Sequence, residues 1–586
     1  MPLRTKIAAQ IAFERGGLIG LVTLVVYIAV APAHVVDGEG AHFATLGALG
    51  GAAHPSGYPL YVLWLRAMSW LPGASAAHTA AMATAVLGAG AVLALHAACR
   101  AWGARVTAAS VAVAVFAGAP LVLAIDTEPE VFALNNLVVA LVVWLAALAG
   151  PVRGNVRCAL LGLVAGLGLS NHMTCALVAP VGILGVVRGV RETAGSRVVA
   201  GALAATGVVV GLLPYVYLAI APVHAGSWGR LDGPGAIVDL ILRRDYGGPG
   251  AFAGAGDPVP ITTSLAALIH TLGRTWLWAP GLVGVIVLGV RCVRPVGPES
   301  RWGWAMLATS FVLAGPLLVS RFNVAPEGVG LYVVDRFHLV AALLLAIPVA
   351  AGFDQLGTRL RARSVMLGGV LAVCVFTAAV VTALPHLLRV HAPAVEYEAR
   401  NVLATLPPAA VVIGETDDLA GGITYAQLVL GERPDVAYVH WPLMKLAWAR
   451  DRLAPHDISI DATGGTISSA RLVTALFASG RPVFIEPSKL AALGGFPHHP
   501  YGILVRLLPP GTPAPTLDDV VAINKAVYAA FTFGYELPGT DDEWPTAVHL
   551  RYAATWQRLG RALDAAGERD EAAWAFGAAR AIGPQP

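Results

Sequence analysis

Charge is scarce in this chain of 586 residues: Asp, Glu, Lys and Arg together make up 13%, against 56% hydrophobic residues and a mean hydropathy of +0.68. That ratio leaves too little polar surface for a soluble globular fold and reads as an integral membrane protein. The net charge of +3 is small, and the arginines form no continuous stripe, so nucleic acid is not an expected partner. Cysteine is also sparse. Cys99, Cys158, Cys175, Cys292 and Cys374 lie in or beside apolar segments without a CxxC pair, which argues against a zinc site or a disulfide framework. No small-residue cleavage site clearly precedes Asp37, so the basic N-terminus and the apolar run after it read as an uncleaved first span.

What is abundant is apolar sequence in lengths that match a bilayer. Windows near 17–36, 77–98, 106–125, 131–150, 157–171, 173–187, 198–221, 264–290, 303–320, 338–353 and 365–385 give about eleven transmembrane helices. The fifth and sixth meet at Asn171 and His172 and can alternatively form one broken hairpin. Alternate loops differ sharply in charge. One set holds Arg4, Lys6 and Arg15, then Arg100, Arg105, Arg153, Arg157, Arg188, Arg191, Arg197, Arg291, Arg294, Arg301, Arg359, Arg361 and Arg363, and is expected to be cytoplasmic. The other holds Asp37, Glu39, Asp126, Glu128, Glu130, Asp232, Asp245, Glu327 and Asp335.

From about residue 386 the pattern changes to short β-type runs, AAVVIGE, DVAYVHW, RPVFIEP and GILVRLLP, with TYAQLVLG reading as a helix between the first two. This predicts an α/β domain over 386–548, placed outside the membrane by the odd span count. Trp556, Leu559, Gly560, Leu563, Gly567, Ala572, Phe576, Ala579 and Pro584 follow the tetratricopeptide pattern, so 549–586 reads as one helical hairpin packed on that domain.

The outer loops carry the chemistry. Asp37 and Glu39 flank Gly38 where the first span ends, either as reactive carboxylates or as solvated boundary residues. The stretch from Tyr58 to Leu71 is interrupted by proline and reads as a helix lying in the interface. Asp126, Glu128 and Glu130 surround Pro129, where carboxylates also suit a helix N-terminus. Asn171 and His172 sit at another outer end, as interfacial hydrogen-bonding groups or as ligands. Trp228, Arg230, Arg243, Arg244, Asp245 and Tyr246 share the longest outer loop, and arginines there ask for an anionic partner. Arg336, in YVVDRFHL, either pairs with Asp335 or binds phosphate through its paired donors.

The blocks DGEGAHFATLGALGGAAHPSGYPLYVL, EPEVFALNNL, GLSNHMT, SWGRLDG with RRDYGG, DRFHL and TDDLAGGITYAQLVLGERPDVAYV resemble, from about residue 15 to 510, the domain-of-unknown-function 2723 family. That family includes the eukaryotic transmembrane protein 260 O-mannosyltransferases and belongs to the GT-C glycosyltransferases. Two departures stand out: Asp37-Gly38-Glu39 replaces the usual Asp-Ser-Gly-Glu, and Ser56 replaces a proline of His-Pro-Pro-Gly-Tyr-Pro. The resemblance implies a polytopic α-helical, GT-C-like catalytic domain over 1–385. It also implies an inverting transfer of a sugar, with mannose the first choice, from a polyprenyl-phosphate donor to a hydroxyl acceptor, a protein Ser/Thr or a glycan.

By the same resemblance Asp37 is the general base, because GT-C enzymes use an acidic residue in the first outer loop. Arg336 or the Arg243/Arg244 pair holds phosphate, and Glu39, His54, Tyr58, Asp126, Glu128, Asn171, His172 and Trp228 line the substrate site. Three carboxylates, Asp37, Glu39 and Asp126, are compatible with a divalent metal, but one leaving phosphate does not demand it and no obligatory metal is expected. The expected setting is a bacterial inner membrane with the N-terminus cytoplasmic and the C-terminal domain extracytoplasmic. A flippase of lipid-linked sugars and a membrane scaffold are the rival classes; charges at outer helix ends rather than at the midplane disfavour the first.

Overall fold

The computed structural model describes residues 3–248, 258–359, 365–460, 468–493 and 495–585. Arg361 and Arg363, and the side chains of Arg4, Lys6, Arg15 and Arg359, lie outside this description. Five described helices are long and apolar enough to cross a membrane: Ala76–Ala101, Met173–Glu192, Arg197–Ala219, Val329–Gly357 and Gly368–Thr405. Shorter apolar helices, including Gly16–Val30, Val106–Ala117, Phe132–Ala146 and Gly154–Leu169, occupy other expected spans. Burial separates centre from rim. In Ala76–Ala101 and Val329–Gly357, 78% of the apolar window is buried, against 17% in Arg197–Ala219, whose bare apolar surface suits lipid.

Two expected spans are not continuous. The window 264–290 is broken into Ile261–Thr275 and Ala279–Val293, bent by 108°. Leu277 and Trp278 take positive φ at the break, and Pro280 follows, so the helix cannot run through. The window 106–125 is interrupted before Pro120, where Ala119 is extended, as a residue preceding proline prefers to be. The stretch after Tyr58 forms the helix Pro59–Ala67, whose Tyr61, Val62 and Leu65 are buried against the protein.

The C-terminal part contains a five-stranded sheet, β1 Val411–Gly414, β2 Ala437–His440, β3 Val483–Ile485, β4 His498–Tyr501 and β5 Leu504–Leu507, in the order β2-β1-β3-β5-β4. The first three are parallel, and β5 runs antiparallel to both β3 and β4. The side chains of β1 and β3 are wholly buried, as expected for short apolar runs. The C-terminal hairpin is Glu543–Ala566 and Arg569–Ile582, starting six residues earlier than the expected 549. Its Trp556, Leu559, Leu563, Ala572 and Ala579 pack with Val520 and Val521 of the soluble domain. Asp542, just before it, accepts from Arg389 Nε at 2.9 Å and so ties the hairpin to the last membrane helix.

Gly38 explains how the two parts meet. The helix Gly38–Leu49 lies against Asp417–Leu428 of the soluble domain, and a Cβ on Gly38 would fall 2.4 Å from the Asp417 carbonyl oxygen. Gly421 faces it reciprocally, with its hypothetical Cβ 2.5 Å from the Gly38 oxygen. The soluble domain therefore docks backbone to backbone on the segment that carries Asp37 and Glu39. Gly38→Ala is expected to cost about 1–3 kcal/mol through overpacking and to expose this seam to protease. An unchanged melting temperature and digestion pattern would contradict the close docking.

Candidate active site

At the seam a single guanidinium gathers carboxylates from distant parts of the chain. Arg336 Nη1 donates to Glu39 Oε2 at 2.6 Å and to Glu130 Oε1 at 2.5 Å, and Nη2 donates to Glu39 Oε1 at 3.2 Å. The expected alternative of an Asp335–Arg336 pair is not what forms, since Asp335 accepts from Thr271 Oγ1 at 2.8 Å. Arg336 is 9% exposed and lies among the rings of Phe132, Tyr332 and Phe337. Its Nε is buried with no hydrogen-bond partner.

Beside this clamp, Tyr332 Oη lies 2.9 Å from Asp37 Oδ2 and 2.8 Å from Glu128 Oε1. One hydroxyl proton cannot serve both oxygens, so one carboxyl holds its own proton and donates back to the tyrosine. Burial, reinforced by the Asp37 charge, pushes Glu128 well above the usual carboxylate range and identifies it as that group. The resulting chain runs from the Glu128 carboxyl through Tyr332 to Asp37. Asp37 also caps Gly38–Leu49 by accepting from the Gly40 N–H, and burial raises it to about 6. Burial likewise drives Glu130 upward against the pull of Arg336. Glu39 is different: burial would raise it, but Arg336 and then His54 hold it well below the usual range.

Two cavities flank this cluster. One, of about 350 Å³, is walled mainly by apolar and aromatic groups such as Phe43, Tyr58, Phe132, Leu318, Phe322 and Phe337, with Glu39, His54, His172, Arg243 and Arg336 on its lining. The other, of about 120 Å³, opens between the membrane and soluble parts, with Glu39, His42, His54, Ser227, Trp228 and Asp417 among its walls. Glu39, His54 and Tyr246 border both. Asp37, 1% exposed, borders neither.

The expected site residues are therefore only partly united. Tyr58 stacks on His172 at 5.8 Å, and Trp228 Nε1 donates to Asp245 Oδ2 at 2.8 Å. Burial lowers His54, and it brings His172 down to about 3. Asn171 donates to the Val131 carbonyl at 3.1 Å, behind the cavity wall. Asp126 lies apart, among Asn136 and Gly88 in the helix bundle. The arginine pair is split: Arg243 lines the apolar cavity over the Tyr246 ring, whereas Arg244 turns out to Asp239 at 2.6 Å. Tyr332, Glu130, His42 and Arg452 enter the site without having been singled out as site residues in the sequence. Glu130 alone carried a signal, as a carboxylate beside Pro129, and its Oε2 does accept the Val131 N–H at 3.1 Å in the manner of a helix start.

Comparison with known proteins bears on this arrangement. Residues 42–194 match the family model for the N-terminal domain of the protein O-mannosyl-transferase TMEM260. The structure aligns with ArnT from Cupriavidus metallidurans bound to undecaprenyl phosphate at a TM-score of 0.54, with 13% identity, over 86% of this chain and 100% of ArnT. The apo form of the same ArnT aligns at 0.50, with 14% identity, over 84% and 97%. The chain has the GT-C fold. No curated protein sequence matches it.

The raised carboxyls set a direction for stability. They hold protons in the fold that the unfolded chain gives up, so their contribution is complete below the unfolded carboxylate range and lost as pH rises through the folded values. For Asp37 that window runs from 3.8 to about 6, and for Glu128 it extends higher. Glu128→Gln, a neutral mimic of the protonated acid, is expected to flatten the fall of melting temperature between about pH 5 and 8. Retention of the wild-type slope would contradict a protonated Glu128.

Proposed function

We propose that the protein is a membrane glycosyltransferase that moves a sugar, with mannose first, from a polyprenyl-phosphate donor to a hydroxyl acceptor on the extracytoplasmic side. The observation that carries this reading is Arg336, a buried guanidinium with one unused N–H, bordering an apolar cavity next to a carboxyl raised toward neutrality. The apolar cavity suits an isoprenoid chain and the guanidinium its phosphate. The family match at 42–194 and the fold shared with an undecaprenyl-phosphate-bound ArnT support the same reading. A protein Ser/Thr hydroxyl is the proposed acceptor because the matching family model is that of a protein O-mannosyl-transferase.

The chemistry is one displacement. The acceptor oxygen forms a bond to the anomeric carbon as the bond from that carbon to the phosphate oxygen breaks, inverting the centre. The hydroxyl proton passes to a carboxylate, and polyprenyl phosphate leaves with the electron pair, stabilised by Arg336. Asp37 is proposed as the proton acceptor. Its carboxyl is raised to about 6, close to a useful working pH, whereas Glu39 is committed to Arg336 and held low. Access requires Tyr332 to release Asp37, which it covers in this conformation. Glu39 and His54, at the junction of the cavities, are proposed to orient the acceptor hydroxyl. No metal enters this scheme, and EDTA inhibition reversed by a divalent cation would contradict it.

The test is transfer of radiolabelled mannose from polyprenyl-phosphate mannose by purified protein to membrane acceptors. Asp37→Asn is expected to lower kcat by about 10²–10⁴-fold, and Glu39→Gln to act mainly on acceptor KM. A larger kcat loss in Glu39→Gln than in Asp37→Asn would make Glu39 the base. In wild type, kcat/KM is expected to fall as pH drops through about 6, because only ionised Asp37 accepts a proton. A profile flat from about pH 5 to 8 would remove Asp37 from that role.

A further inference from the structure

The cleft between the two parts of the molecule continues into the soluble domain. A second hollow of about 110 Å³ adjoins it, sharing Ala225, Ala420, Thr424, His440, Leu443 and Arg452. One end of the combined cleft is the Glu39–His54 junction with the apolar cavity; the other is lined by Tyr438, Leu453 and His456, and Arg452 lies where the two hollows meet.

Polar groups along this cleft lack partners. His42 Nε2, Tyr438 Oη, His440 Nε2 and Arg452 Nη2 are buried and make no hydrogen bond. His440 Nε2 stands 3.8 Å from Asp417 Oδ1, too far for one. Buried polar atoms are ordinarily satisfied, so four on one cleft mark a surface made to meet a polar ligand. Arg452 is the most telling. Its guanidinium lies 4.4 Å from the Trp448 ring centroid, and no carboxylate among the described residues lies within ion-pair distance. Burial pulls it down to about 10 with no opposing carboxylate. A stacked, part-buried guanidinium without a counter-charge is a receptor for an anionic group.

We propose that this cleft is the acceptor site, and that Arg452 binds an acidic side chain of a peptide whose Ser or Thr hydroxyl reaches Glu39 and His54. The assignment rests on the glycosyl-transfer reading and specifies its acceptor. Trp228 lines the first hollow, 5.4 Å from the Trp448 ring on which Arg452 stacks. A peptide laid along the first hollow puts its hydroxyl at Glu39 and His54 and its charge at Arg452, where the second hollow begins.

The experiment compares transfer from polyprenyl-phosphate mannose to threonine peptides that differ only in carrying Glu, Gln or Lys near the threonine. Wild type is expected to show a KM for the Glu peptide about tenfold below that for the Gln peptide, the size of one charge-assisted hydrogen bond. In Arg452→Gln this ratio is expected to fall to about one, and Arg452→Lys to recover part of it. Transfer of the Gln peptide by the same variants reports that they are folded. Equal KM values in wild type, or a preference that persists in Arg452→Gln, would overturn the assignment. Transfer to no peptide while the donor is still hydrolysed would overturn the peptide acceptor. Neither transfer nor hydrolysis of the donor would overturn the glycosyl-transfer reading itself.

Discussion

The cation of Arg336, enclosed by Glu39 on one side and Glu130 on the other, organises the functional end of this molecule. Taking a guanidinium out of water is costly unless its donors are met, and removing one partner of such a buried pair costs about 3–5 kcal/mol. Glu130 is held at the start of Phe132–Ala146, Glu39 on Gly38–Leu49, and Arg336 where Val329–Asp335 passes into the long apolar helix. One ion pair network therefore fixes three segments relative to each other. It also divides labour among the acids. Glu39 stays ionised against the arginine, while the buried Glu128 holds its proton more tightly. In the proposed reaction the donor phosphate competes with Glu39 for Arg336, so donor arrival loosens the carboxylate that faces the acceptor.

The soluble domain belongs to the site. Its helix Asp417–Leu428 meets the segment that carries Asp37 and Glu39 at Gly38 and Gly421, where neither position has room for a side chain. Asp417 then borders the cleft at the junction, and Tyr438, His440 and Arg452 extend it outward. In the proposed reaction the donor and the acceptor have separate approaches: an apolar one among aromatic rings, and a polar one between the domains. They converge on Glu39 and His54.

Much of this was legible in the sequence where it depended on local pattern. Apolar runs marked the helices, and the β-type runs marked four strands. What escaped depended on contacts far along the chain. Arg336 read as pairing with its neighbour Asp335 or binding phosphate, but its two carboxylates lie 297 and 206 residues away. Tyr332 was an apolar-looking residue in an apolar stretch until Asp37 and Glu128 reached its hydroxyl. Arg243 and Arg244 read as a pair, yet the left-handed turn at Arg243 sends them in opposite directions. The break at Trp276–Trp278 falls inside a window read as one span, and Trp276 Nε1 is drawn inward to the Ala342 carbonyl at 3.1 Å. Strand β4 was missed because His498, His499 and Pro500 show no apolar alternation; it exists as the antiparallel partner of β5.

The most direct test of the account is a structure of the protein with polyprenyl phosphate bound. The account predicts the isoprenoid in the cavity lined by Phe132 and Phe337, a phosphate oxygen within hydrogen-bonding distance of Arg336, and Glu39 displaced from at least one of its two contacts with that guanidinium. A phosphate bound elsewhere, with both Glu39–Arg336 contacts intact, would contradict the central role assigned to Arg336.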